Sequence, residues 1–159
     1  MSTTLRETGG ASAALDNDQF LTFRLASEEY AVPILRVQEI KGYSAVTPIP
    51  NAPSYIKGVM NLRGTVMPVL DLRAKFGFEA TEFTKFTVII VVNVGAKVVG
   101  LVVDGVSDVL KFDHDAIEPP PTLGGDLDTS HLTGMAKQGE RLVALLDLER
   151  IVGLESLSR

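Results

Sequence analysis

Two histidines and several carboxylates are the residues of this chain that could take part in catalysis or bind a metal. His114 lies between two aspartates, but side chains adjacent in sequence point apart on an extended backbone, so the pattern favours a solvated acidic loop. The same divergence argues against His131 as a base for neighbouring Ser130. Asp104 and Asp108 form a carboxylate pair without any sign of the burial that acid catalysis needs. The sequence therefore predicts no catalytic residue and no enzyme activity.

The glycine spacing predicts no cofactor site. Gly95 and Gly100 have the separation of a phosphate-binding loop, but Leu101 and Val102 stand where that loop carries its lysine and hydroxyl residue. A hairpin turn and a close strand crossing explain these glycines better. We predict no cofactor and, with no cysteine and only two histidines, no metal site.

The composition disfavours several other classes of protein. The chain has 159 residues, 45% of them hydrophobic, and a formal net charge of -5, which is typical of a soluble globular protein and opposes binding to phosphate backbones. The lack of cysteine fits a reducing compartment, and the N-terminal residues lack the apolar segment of a signal peptide. We expect a cytoplasmic protein without nucleic-acid partners and without membrane insertion.

Apolar runs predict β-strands over most of the chain, after a polar tail at residues 1–18. Two hairpins with polar turns are predicted at 20–34 and 87–103. Each half of the chain then ends in Asp-Leu, an amphipathic segment and glycine, which predicts a short helix capped by Asp71 or Asp147. Few other helices are indicated.

An internal repeat relates the two halves. An offset of 69 residues places Glu39 on Asp108, and an offset of 76 places Gly58 on Gly134. The change of offset indicates an inserted loop within Pro119–Asp128, which is rich in proline and glycine. Weak identity leaves coincidental β-patterning as the alternative. If the repeat is real, the chain contains two similar units.

Each unit has the size of a small β-barrel, so the predicted fold is mainly β, with two barrels side by side and a few short helices. The continuous apolar runs Val88–Val92 and Val98–Val103 have no polar face, which indicates strands covered on both sides. We expect one domain at residues 19–153, made of subdomains at about 19–83 and 84–153 between which terminal segments can exchange, and a C-terminal tail at 154–159.

The groove expected between the barrels is the predicted functional surface. Arg63 lies in a turn, where it is either a solvated charge or a partner-binding residue, because its guanidinium is common at interfaces. Residues 37–40 and 106–109 alternate apolar and polar types, as half-buried strands do. In the functional interpretation, Glu39 and Asp108 lie at the lip of the groove, near enough to Arg63 to form a charge pair.

Five segments of the chain form a set of motifs that is more specific than any short pattern. They are Val37-Gln-Glu-Ile-Lys-Gly-Tyr43, Ile56-Lys-Gly-Val-Met-Asn-Leu-Arg-Gly64, Val69-Leu-Asp-Leu-Arg73, Val98-Val-Gly-Leu-Val-Val-Asp-Gly-Val-Ser-Asp-Val109 and Leu132-Thr-Gly134. Together they closely resemble the CheW family of bacterial chemotaxis adaptors. The resemblance extends from about Phe20 to Val152, with the motifs in the expected order, and is weakest in the N-terminal tail and the inserted loop.

This resemblance implies two five-stranded SH3-like barrels and a non-catalytic adaptor. Such a protein links the cytoplasmic tip of methyl-accepting chemoreceptors to the regulatory domain of the CheA histidine kinase, in arrays at the membrane, and can self-associate weakly in rings. The resemblance places seven residues in the receptor-binding groove: Val37, Glu39, Arg63, Val88, Val106, Asp108 and Val109. It associates two glycines with kinase binding: Gly58 and Gly134.

Three alternatives stay open. A CheW-like scaffold could serve a non-flagellar chemosensory kinase, in twitching or developmental signalling, through the same contacts. An enzyme or small-ligand binder on a double barrel would need polar side chains inside a closed pocket, which the pattern does not indicate. An RNA-binding barrel would be retained on a polyanion column at moderate salt.

Overall fold

The computed structural model describes residues 19–44, 46–79, 82–119 and 131–152. Both predicted tails lie outside these ranges, as does the predicted loop apart from Pro119. In the described part, no helix is long and apolar enough to cross a membrane.

Short strands dominate the described residues, as the apolar runs predicted. The strands are β1 (Gln19–Leu25), β2 (Glu28–Pro33), β3 (Val37–Gly42), β4 (Ile56–Leu62), β5 (Thr65–Asp71), β6 (Val88–Val94), β7 (Lys97–Val103), β8 (Gly105–Lys111), β9 (Ile117–Glu118), β10 (Leu132–Gln138) and β11 (Arg141–Leu146). The helices are α1 (Leu72–Lys75), α2 (Leu148–Val152) and two 3-10 turns at Ile34–Arg36 and His114–Ala116.

The strands form two sheets. One has six strands in the order β8-β1-β2-β11-β10-β9, and the other has five in the order β3-β6-β7-β5-β4. The mainly β fold class is confirmed, and the six-stranded sheet differs from the expected five by the two-residue strand β9. Each sheet contains strands from both halves of the chain, because the hairpin β1–β2 joins β8–β11 and the hairpin β6–β7 joins β3–β5.

The strand registers confirm the internal repeat. The β4–β5 pairing is irregular between Ile56 and Gly58, and the β10–β11 pairing is irregular between Leu132 and Gly134, at the positions related by the offset of 76. The parallel contacts β5–β7 and β11–β2 also correspond to each other. Chance alternation of apolar residues does not produce matching bulges, so the two halves share one structural plan.

Among the described residues, three apolar clusters form the core, and the largest lies between the sheets. Along β6, Ile89 and Val91 pack into the cluster of the five-stranded sheet, whereas Ile90 and Val92 pack into the central cluster that also contains Phe23 of β1. Successive side chains of a strand point to opposite faces, so β6 is buried on both. The expectation of strands covered on both sides is confirmed.

Aspartates begin the two short helices, as predicted. Asp71 Oδ1 accepts a hydrogen bond from Arg73 N–H at 3.0 Å, and Asp147 Oδ1 accepts one from Arg150 N–H at 3.2 Å. These bonds satisfy backbone donors that a helix leaves unpaired at its N-terminus. Gly77, with φ 82°, follows α1 as the predicted glycine, while its counterpart Gly153 lies outside the described residues.

Candidate functional site

A tight hairpin presents Arg63. Leu62 pairs with Thr65, which leaves Arg63 and Gly64 as a two-residue loop with φ of 50° and 90°. Positive φ at both loop positions is the geometry that matches the twist of the flanking strands. Asn61 Oδ1 accepts a hydrogen bond from Gly64 N–H at 2.9 Å and fixes the loop. The arginine is therefore displayed at a stiff tip.

Arg63 pairs with Glu39 of β3, as predicted. Its Nη2 donates a hydrogen bond to Glu39 Oε2, and this bond lowers the pKa of Glu39 below its ordinary value of 4.5. The arginine side chain stays 65% exposed, against 29% for the glutamate. Arg63 therefore keeps most of its surface available to a partner while one carboxylate orients it.

The predicted pairing of Asp108 with Arg63 is wrong: Asp108 pairs with Arg141 instead. Arg141 Nη2 lies 3.2 Å from Asp108 Oδ1 and 2.8 Å from Glu29 Oε2. The hydroxyl of Thr22 also lies 2.6 Å from Asp108 Oδ1, and the hydrogen bonds from Arg141 and Thr22 lower the pKa of Asp108. Asp108 belongs to the six-stranded sheet, so the hairpin of that sheet, β10–β11, supplies its cation.

Arg141 is the residue that the sequence analysis missed. Asp108 is the repeat counterpart of Glu39. Because Glu39 pairs with an arginine of the first half's β4–β5 hairpin, the repeat predicts that Asp108 pairs with a cation of the equivalent β10–β11 hairpin. Arg141 opens β11 directly after the turn of that hairpin. The two arginines are not at identical repeat positions, because Arg141 corresponds to Thr65 under the offset of 76. A search for a strictly aligned residue therefore does not find it.

Three of the four predicted apolar groove residues lie along the edge of the central cluster. Val37, Val88 and Val106 are half-buried and pack against that cluster, whereas Val109 is 50% exposed. Ile40, the counterpart of Val109 in the repeat, is exposed as well. The structure thus provides apolar side chains that remain partly accessible beside the seam between the sheets.

Gly58 and Gly134 are buried where a neighbouring backbone segment pairs with their strand. A Cβ added to Gly58, whose φ is 150°, would lie 2.1 Å from the carbonyl oxygen of Thr47. A Cβ on Gly134 would lie 2.8 Å from the carbonyl oxygen of Glu118. Both glycines are therefore required for local packing, because neither backbone contact can relax as the end of a side chain can.

Two open depressions accompany these residues. One, of about 180 Å³, lies beside Arg63 and is lined by Gln38, Leu62, Met67 and Val98. The other, of about 310 Å³, includes Arg73 and Asp104, which are paired with each other. No group of three metal-ligating side chains occurs in the described ranges. The chemistry on display is charge pairing beside apolar surface, which suits protein recognition.

Comparisons with known proteins give matches along most of the chain. The family model described as CheW-like domain matches residues 19–156. The chain is 48% identical over 140 residues to the chemotaxis protein CheW of Klebsiella aerogenes, covering 88% of this chain and 84% of that protein. It is 40% identical over 133 residues to the chemotaxis protein CheW of Rhizobium meliloti, covering 84% and 86%.

A solved structure shows the same fold. The crystal structure of the scaffolding protein TtCheW from Thermoanaerobacter tengcongensis matches with a TM-score of 0.80 and 34% sequence identity. The match covers 85% of this chain and 92% of that one.

Proposed function

The chain belongs to the CheW-like family, and from that premise we propose that it couples methyl-accepting chemoreceptors to the CheA histidine kinase as a non-catalytic adaptor. A chemotaxis scaffold is the coarser function that the family supports. The similarity to CheW proteins along nearly the whole described chain carries the proposal. It implies recruitment from the cytoplasm to receptor arrays at the membrane.

Receptor binding is proposed at the groove residues. An amphipathic helix can place its apolar face on Val37, Val88 and Val106, which are half-buried and so lose little water-exposed surface when covered. Arg63 and Glu39 can then fix the register of the helix through charge. Asp108 and Val109 on β8 extend the proposed surface. Small apolar contacts with exposed charges favour modest, reversible affinity.

Kinase binding is proposed near Gly58 and Gly134, at the backbone segments that pack against these two glycines. Thr47 and Val59 exchange two backbone hydrogen bonds, of 2.9 and 2.8 Å, beside Gly58. Ile49, two residues beyond Thr47, is 40% exposed and gives this end of the five-stranded sheet an apolar surface. A larger residue at Gly58 would displace that surface, so its effect on kinase binding is indirect.

The receptor contact is tested in a reconstituted mixture of receptor, adaptor and kinase. We expect Arg63→Glu to weaken receptor control of kinase phosphorylation by about tenfold, because an anion beside Glu39 then replaces the cation proposed to fix the register of the receptor helix. Lys137→Glu, an exposed change of the same charge on β10, lies outside the strands that carry the proposed receptor surface, so it is the matched control and should retain coupling. Unaltered coupling with folded Arg63→Glu would contradict the receptor site.

The kinase contact needs a variant that leaves the buried glycine in place. Ile49→Asp should reduce retention of the kinase in a pull-down, while circular dichroism stays unchanged because the side chain is already partly in water. Leu142→Asp makes the same kind of change at an exposed apolar residue of the other sheet. Comparing kinase retention by the two variants shows which sheet carries the contact. Full retention by Ile49→Asp would remove the Gly58 end from the proposed interface.

A further inference from the structure

Each short helix is joined by an ion pair to the segment that connects a hairpin to the next strand. We name the segment Ile34–Arg36, between β2 and β3, link 1, and Asp104, between β7 and β8, link 2. Glu149 of α2 accepts a hydrogen bond of 2.6 Å from Arg36 in link 1. Arg73 of α1 donates hydrogen bonds of 2.8 and 2.7 Å to Asp104 in link 2.

The two ion pairs have opposite polarity. Arg73 and Glu149 occupy equivalent positions of the repeat, because the offset of 76 relates them. This helix position is therefore cationic in the first half and anionic in the second, and the link carries the complementary charge in each case. The Arg73–Asp104 pair is partly buried, with side chains 17% and 27% exposed, whereas the Arg36–Glu149 pair is more accessible, with side chains 34% and 48% exposed.

Neighbouring contacts hold the links in place. Arg36 Nη1 donates to the carbonyl oxygen of Asn93 at 2.9 Å, and Asp104 Oδ2 accepts from Ala26 N–H at 2.7 Å. Burial alone would raise the pKa of Asp104, but the hydrogen bonds from Arg73 and Ala26 outweigh it and lower the pKa. Asp104 is therefore charged at neutral pH and has a fixed direction.

The two hairpins have similar apolar runs, although the buried Thr22 of β1 stands where β6 has Val91. The hairpins β1–β2 and β6–β7 are equivalent in the repeat, and both contribute side chains to the central cluster. In the structure β5 runs parallel to β7, and β11 runs parallel to β2. If the hairpins exchanged sheets, β5 would run beside β2 and β11 beside β7. The helix after β5 would then reach link 1, and the helix after β11 would reach link 2.

Hairpin exchange would place like charges together at both links. Arg73 would face Arg36, and Glu149 would face Asp104. Like charges in partly buried positions repel more strongly than they do in water. The observed arrangement instead has two complementary pairs. The difference in free energy between the two arrangements therefore includes both the attraction lost and the repulsion gained on exchange.

We propose that this reversal of polarity selects which hairpin enters which sheet. Apolar burial favours both arrangements. The charges at the two links add to the bonds of Thr22 to Asp108 and of Glu29 to Arg141 in favouring the observed one, as complementary charges distinguish partners in other assemblies. The device lies in the fold itself and does not depend on the adaptor function. The proposal predicts that exchanging the charges of Arg73 and Glu149 between the two helices changes the topology. The number of ion pairs alone does not determine the topology.

Two double variants with unchanged net charge separate these effects. Arg73→Glu with Glu149→Arg, the helix-exchange variant, gives like charges in the observed topology and complementary pairs in the exchanged one. Arg36→Glu with Glu149→Arg, the pair-reversal variant, keeps complementary pairs in the observed topology and also creates them in the exchanged one. The second variant therefore loses the selection without losing the ion pairs.

Engineered disulfides report the topology, because the chain contains no cysteine. Gln19 of β1 is opposite Lys111 of β8 in the structure, so Gln19→Cys with Lys111→Cys reports the observed arrangement. In the exchanged arrangement β1 would pair with β3 and Gln19 would oppose Gly42, the repeat counterpart of Lys111. Gln19→Cys with Gly42→Cys reports that arrangement, and a Cβ at Gly42 meets no atom within 4 Å.

Each full-length protein is refolded from urea at low concentration, oxidised, and analysed for intramolecular crosslinks. We expect the unaltered charges to give the 19–111 crosslink, and the helix-exchange variant to lose it by at least about threefold while forming the 19–42 crosslink. The pair-reversal variant should form the 19–42 crosslink above the background seen with the unaltered charges. Because that variant keeps both ion pairs, it tests the proposal even if the first variant fails to fold. Absence of the 19–42 crosslink from both variants would overturn it.

Discussion

The second hairpins of the two sheets carry similar arginines in different surroundings. Arg63, at the tip of β4–β5, contacts one carboxylate and is 65% exposed. Arg141, at the start of β11, contacts Glu29 and Asp108 and is 38% exposed. One repeated plan has thus produced an arginine that joins three strands and another that is held from one side. The difference indicates that Arg141 is structural and Arg63 is available for recognition.

The glycines beneath these hairpins give the largest expected contrast. Gly58→Ala should lower the free energy of unfolding by about 3 kcal/mol or more, because the new Cβ would lie 2.1 Å from a backbone oxygen and the φ of 150° disfavours alanine. Gly134→Ala should cost about 1–2 kcal/mol, since its overlap is milder. Urea denaturation measures the free energy of unfolding of both variants. Equal losses would contradict the expected contrast, because they would show that the backbone packs equally tightly on the two glycines.

Replacing the two arginines should change the free energy of unfolding by amounts that differ less than those for the glycines. We expect Arg141→Gln to lower the free energy of unfolding by about 1 kcal/mol, because two carboxylates lose a partly buried hydrogen-bond donor. Arg63→Gln should leave the urea midpoint unchanged, because its pair is in water. A destabilising Arg63→Gln would contradict the division into a structural arginine and a recognition arginine.

The pH dependence of the free energy of unfolding should show the smallest difference, between the two carboxylates that pair with these arginines. The pKa values of Asp108 and Glu39 are lowered in the folded state, so their stabilising contribution is present above their ordinary values of 3.8 and 4.5 and is lost as pH falls below them. Asp108→Asn should flatten this acid-induced loss more than Glu39→Gln, because Asp108 accepts hydrogen bonds from Arg141 and Thr22. Unfolding followed from pH 7 to about pH 2 measures the slopes, and a steeper contribution from Glu39 would reverse the assignment.

Much of the local structure was predictable from residue patterns. The strands, the short helices begun by Asp71 and Asp147, and the double burial of the 88–92 run each depend on a few neighbouring residues whose spacing is visible in the chain. The pair between Arg63 and Glu39 followed from the same pattern. The pair between Asp108 and Arg141 did not, because it depends on which sheet each strand enters.

By itself, the sequence determined that the chain forms two alike β units with paired charges and half-buried valines, because alternation and repeat offsets are local properties. Only the tertiary structure decided that each unit takes its hairpin from the other half of the chain. The apolar patterns of the two hairpins fit either sheet, so strand partners depend on contacts between residues distant in sequence. The ion pairs at Arg36 and Asp104 are contacts of that kind.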